Sequence, residues 1–73
     1  MRWYDLKQGD VIHYLANYES YVLLDDARVD GIYVRFRVLC LDDGQVYNDA
    51  NYAENIIHEQ YIAVDQAPRN MRK

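Results

Sequence analysis

The run from Asp30 to Gly44, DGIYVRFRVLCLDDG, constrains the fold of this chain more than any other stretch. Ile32, Val34, Phe36, Val38 and Cys40 share one parity and are all apolar, while Tyr33, Arg35 and Arg37 hold the other. Side chains of a strand alternate between faces, so the pattern predicts a strand over 32–41. One face belongs to a core; the other carries a tyrosine and two arginines. Asp43-Gly44 then signals a hairpin, because glycine takes positive φ at little cost and aspartate tolerates it. Residues 45–48 return antiparallel.

The flanking segments read as more short strands. Gly9-Asp10 marks a turn before a first strand over 10–15, and 16–19 reads as the next turn. Residues 20–25 form a second strand whose Tyr21-Val22-Leu23-Leu24 is apolar on both parities, as expected of a central position. Residues 26–31 read as a polar loop closed by Gly31. Ala50, Ala53, Ile57 and Tyr61 recur near helical spacing after Asn48, a candidate N-cap, and predict a short helix over 49–58. A last strand covers 61–65. The expected fold is mainly β with one short helix (α+β): a small SH3-like, partly open antiparallel barrel or curled sheet. Residues 1–65 make one compact domain, and 66–73 are expected to be a disordered basic tail, since Pro68 and its polar neighbours offer nothing to bury.

Composition narrows the function classes. Seventy-three residues make a single domain with a thin core. One cysteine allows no internal disulfide, which fits a reducing, cytosolic setting. No apolar run exceeds four residues, so neither a signal peptide nor a membrane span is expected. Residues 1–65 hold twelve acids and five bases; residues 66–73 hold three bases and no acid. An acidic body argues against wholesale nucleic-acid binding, where each phosphate contact needs a cation, and suits a basic protein surface better.

Catalytic and metal signatures are weak. His13 and His58 are the only histidines, and nothing in the sequence brings them together. Cys40 shares the apolar parity of its strand and reads as core. Asp25, Asp26 and Asp30 lack the alternation and terminal glutamate of a calcium loop. Two histidines and one cysteine do not make a common structural zinc site. Gly9, Gly31 and Gly44 are too far apart to cradle a phosphate. The chain therefore reads as a non-enzyme with no metal and no cofactor.

Binding is the better reading. Trp, Tyr and Arg are over-represented at interface hot spots, and Arg2, Trp3 and Tyr4 stand together at the N-terminus. The alternative for Trp3 is a core plug over one open barrel end. Tyr33, Arg35 and Arg37 form a flat polar-aromatic strand face, or else a solvated face in which the arginines pair with aspartates. Arg69, Arg72 and Lys73 give the tail three cations able to reach a phosphate backbone or an acidic groove. These nine residues are the expected partner-binding set.

The stretches MRWYDLKQGDVIHY, VRFRVLCLDDGQVYND and PRNMRK also carry a resemblance over the full chain. They resemble the small RNA-polymerase-binding transcription regulator of a lytic Xanthomonas phage. The resemblance implies binding to host bacterial RNA polymerase, inhibition of initiation and read-through of intrinsic terminators. The place of action it implies is the host bacterial cytoplasm; a monomer is expected, with contact to nascent RNA or DNA through the basic tail. Two other classes stay open: an acidic DNA-mimic or nuclease inhibitor of a mobile element, and an SH3-like peptide-binding module.

Overall fold

A computed structural model describes residues 1–68. Its strands are β1 (Val11–Tyr14), β2 (Glu19–Leu23), β3 (Arg28–Asp30), β4 (Tyr33–Cys40), β5 (Val46–Tyr52) and β6 (Ile62–Asp65). All pairings are antiparallel, in the order β3-β4-β2-β1-β6, with β5 on the other edge of β4. The sheet curls into a half-barrel, in keeping with the expected SH3-like β architecture. β4 organises it. Residues 38–40 pair with β2, residues 33–35 pair with β3, and the opposite edge carries β5 along residues 33–39. β2 lies centrally between β4 and β1, as its two-sided apolar pattern predicted.

The alternation in β4 is realised. Val34, Phe36, Val38 and Cys40 are buried, and Tyr33, Arg35 and Arg37 are exposed. Ile32 departs from its parity and is 67% exposed, because the strand begins one residue later and Gly31-Ile32 form the turn. The inward residues meet Trp3, Leu6, Ile12, Leu23, Ala53 and Ile57 in one core. Cys40 is a buried free thiol at its margin.

Two sequence expectations are corrected. Residues 49–58 are not helical: β5 runs on to Tyr52, and a turn with an isolated bridge from Arg2 to Ile56 follows. The hairpin explains this. Gly44, at φ 73°, closes the turn with its N–H on the Cys40 carbonyl (2.9 Å), and the register it sets pairs seven consecutive residues of β4. An eight-residue strand edge left half unpaired would strand backbone polar groups, so pairing overrides a weak helical spacing. Ala53 and Ile57 still reach the core, from extended chain. The second correction concerns residues 26–31, read as a loop. Arg28–Asp30 pair with Tyr33–Arg35 as β3, a short exposed edge strand without an apolar stripe to announce it.

Asp10 ties the ends of the chain together. It is fully buried and accepts the N–H of Lys7 (2.9 Å) on Oδ2 and that of Ala67 (2.8 Å) on Oδ1. Leu23 N–H donates to its carbonyl at 2.9 Å. Gly9 (φ 90°) lets the C-terminal segment close over this point; a Cβ there would lie 3.2 Å from that of Ala67. Gln66 and Ala67, placed by the sequence reading in the tail, thus lie against the body.

Candidate protein-binding surface

Directly opposed residues of neighbouring strands share a face. On the outer face, Tyr33, Arg35 and Arg37 of β4 stand opposite Tyr52, Ala50 and Asn48 of β5. On the other side, Asp30 and Arg28 of β3 stand opposite Tyr33 and Arg35. Tyr33 and Tyr52 stack with centroids 5.2 Å apart at 24°. The Arg35 guanidinium carbon lies 5.7 Å from the Tyr33 ring centre, and its Nε donates to Asp30 at 3.0 Å.

Arg37 has a different task. Its Nε and Nη2 donate to the two oxygens of Asp25, each at 2.8 Å, and its backbone N–H reaches Asp25 Oδ2 at 3.2 Å. Leu24 N–H closes the ring on the Arg37 carbonyl at 2.9 Å. The hydrogen bonds from Arg37 hold the Asp25 carboxyl below its ordinary range, and Asp25 raises the guanidinium in return. Arg37 therefore clasps the β2–β3 connection to β4. Both arginines pair with aspartates, yet each stays about half exposed, with donors to spare on Arg35.

The N-terminal triplet divides. Trp3 is 5% exposed and stacks on Phe36 at 6.2 Å and 12°, so it is the core plug and not a surface anchor. A one-turn 3-10 helix over Trp3–Asp5 holds it there, with Trp3 N–H on the Asn55 carbonyl at 3.2 Å. Arg2 donates from Nη1 to the Glu54 carbonyl and from its backbone N–H to Asp5 (2.8 Å). Tyr4 points outward and shares a groove of about 700 Å³ with Val29, Ile32 and Tyr52. Tyr52 joins the two surfaces, lining this groove and stacking on Tyr33. Tyr4, Val29, Ile32, Tyr33 and Tyr52 are all exposed, an apolar and aromatic rim beside Arg35. Contiguous exposed apolar surface of this kind marks interaction sites. Arg69, Arg72 and Lys73 lie outside the described residues.

Sequence reasoning missed Tyr52, Val29 and the outward turn of Ile32. Counting out from Asp43-Gly44 as a two-residue turn sets Tyr33 opposite Glu54; the loop in fact takes in residues 41–44, with Cys40 N–H on the Gln45 carbonyl, and that shift of two residues brings Tyr52 opposite Tyr33. Nothing comparable signals Val29, whose strand is three residues long.

His13 sits between Ser20 Oγ (2.7 Å from Nδ1) and Asp65 Oδ2 (2.9 Å from Nε2). The composition of this row is that of a hydrolase triad, but its setting is not. The Asp65 side chain is 79% exposed, whereas an orienting carboxylate works from a buried site. Ser20 spends its own N–H on Asp42 (3.1 Å) instead of facing a developing oxyanion. The row laces β2, β1 and β6 across their outer face.

Among the described residues no helix is long and apolar enough to cross a membrane. No family model, no curated protein and no solved structure matches the chain.

Proposed function

We propose that this chain is a non-catalytic transcription regulator that binds bacterial RNA polymerase, inhibits initiation and permits read-through of intrinsic terminators. The observation that carries the binding reading is the exposed Tyr33–Tyr52 stack with Arg35 over it, continuous with Tyr4, Val29 and Ile32. Two tyrosines and an arginine on a paired hairpin offer contact area at little entropic cost, which is the make-up of an interface hot spot. The choice of polymerase rests on the resemblance of MRWYDLKQGDVIHY, VRFRVLCLDDGQVYND and PRNMRK to the phage regulator. The acidic body, with twelve acids against five bases over residues 1–65 in a chain of net charge −4, suits docking onto a basic protein surface. Occupancy is then the mechanism: a binder that prefers the core enzyme over the initiation-competent holoenzyme shifts the balance by its differential affinity.

The test is initiation from a host promoter with purified polymerase, followed by read-through at an intrinsic terminator. Inhibition should saturate at a stoichiometric ratio, stay constant with incubation time and weaken with salt. Tyr33→Ala with Tyr52→Ala should cost about 2 kcal/mol or more of binding if the stack is an anchor. No effect on either step at roughly tens of micromolar protein removes the polymerase reading. Capture of a nuclease from host lysate would then favour the inhibitor class.

A further inference from the structure

The inner side of β5 is polar. Tyr47, Asp49 and Asn51 stand opposite Val38, Phe36 and Val34, where a closed barrel would place apolar residues. Tyr47 and Asp49 line an open groove of about 310 Å³ with Tyr14, Asn17, Glu19 and Tyr21. Its three aromatic rings form a corner: Tyr14 and Tyr21 meet at 5.6 Å and 87°, Tyr21 and Tyr47 at 6.4 Å and 72°. Glu19 accepts the Tyr21 hydroxyl (2.8 Å) and Asn17 Nδ2 (3.3 Å) on one oxygen, Oε1. Asp49 accepts the N–H of Ala50 at 2.9 Å. Asp25 and Asp30 pair with arginines; among the described residues neither Glu19 nor Asp49 makes a salt bridge. Burial pushes the Asp49 carboxyl up, and burial followed by the Asp49 charge pushes the Tyr14 hydroxyl up. The Asp49 carboxylate is thus held partly out of water beside electron-rich ring faces, without an ion pair among the described residues, although it also borders a second groove that holds Lys7, Arg28, Arg35 and Arg37.

We propose that this groove binds the guanidinium of an arginine on a partner protein. The charge of the lining selects a cation, and the rings select one that lies flat on an aromatic face. A guanidinium meets both conditions: it stacks, it is weakly hydrated, and its planar fork gives paired donors to a carboxylate. A lysine ammonium is more strongly hydrated and brings no plane. A neutral or anionic group would leave Glu19 and Asp49 uncompensated. The site stands apart from the polymerase reading, because it lies on the inner side of the sheet and names a side-chain chemistry, not a partner.

The experiment is an amide chemical-shift titration of the full chain with acetyl-Gly-Arg-Gly-amide, beside the citrulline and lysine versions of the same peptide. Saturable shifts are expected at Asn17, Glu19, Tyr47 and Asp49. Affinity should fall about tenfold or more for the citrulline and lysine peptides, and equally for Asp49→Asn, which keeps an acceptor for Ala50 N–H. Glu19→Gln, which keeps one for the Tyr21 hydroxyl, is the second variant and should weaken binding in the same sense. The inference is overturned if citrulline or lysine matches arginine, if both variants bind like the parent, if the shifts gather at Asp25 and Asp30 instead, or if none appear.

Discussion

Trp3→Ala separates a core role from a surface role. A tryptophan 5% exposed and stacked on Phe36 has nearly its whole side chain out of water. Truncating a buried Phe or Trp to Ala costs about 3–5 kcal/mol, as lost transfer energy plus the cavity left behind. A domain of this size holds in total about 4–11 kcal/mol, at ~0.05–0.15 kcal/mol per residue. The variant is therefore expected to be marginal or unfolded at 25 °C. The damage should begin with the N-terminal segment, whose bonds to Asn55 and Ile57 depend on the ring seated beneath it. The assay is urea unfolding followed by far-UV dichroism, with Trp3→Phe as a partial rescue that refills part of the cavity. A polymerase-binding measurement on Trp3→Ala reports stability and not contact energy unless the fold is checked first. The reasoning is refuted if Trp3→Ala loses less than about 1 kcal/mol of stability and still loses binding. Trp3 would then face outward as an anchor.

Three further outcomes are expected. Asp10→Ala leaves the part-buried N–H groups of Lys7 and Ala67 without their acceptor and should cost about 1–3 kcal/mol, with faster hydrogen exchange at Ala67; a loss under roughly 0.5 kcal/mol would refute the staple. Burial raises the folded-state carboxyl of Asp49, so stability is lost as pH rises through that pKa. Asp49→Asn should then be more stable than the parent at neutral pH, by at most about 1 kcal/mol after solvent screening, and the gain should vanish below the pKa of an unfolded aspartate; a destabilised variant at neutral pH contradicts it. Asp25 is shifted the other way by Arg37, so its contribution is present above the unfolded pKa and lost as pH falls through the folded one. Arg37→Ala should return the Asp25 titration, read by carboxyl NMR, towards the ordinary range; an unmoved titration would break the pairing argument.

The β class, the long central strand, its buried and exposed parities and the Asp43-Gly44 hairpin were all legible in the residues, because each depends on local geometry: a period of two and a glycine at positive φ. Tyr33, Arg35 and Arg37 as an outward row followed from the same period. What lay beyond local geometry was settled by pairing. The segment 49–58 was pulled into extended chain because β4 had an edge to satisfy, and Arg28–Asp30 became a strand because β4 had a second one. Trp3 could be plug or anchor until Phe36, thirty-three residues on, supplied the ring beneath it. The arginines could be free or paired until the sheet brought Asp25 and Asp30 beside them. The tyrosine corner of the inner groove draws on β1, β2 and β5, strands separated in sequence, so no window of residues contains it. Strand periodicity assigns each side chain a face; only the closure of the sheet assigns that face its neighbours.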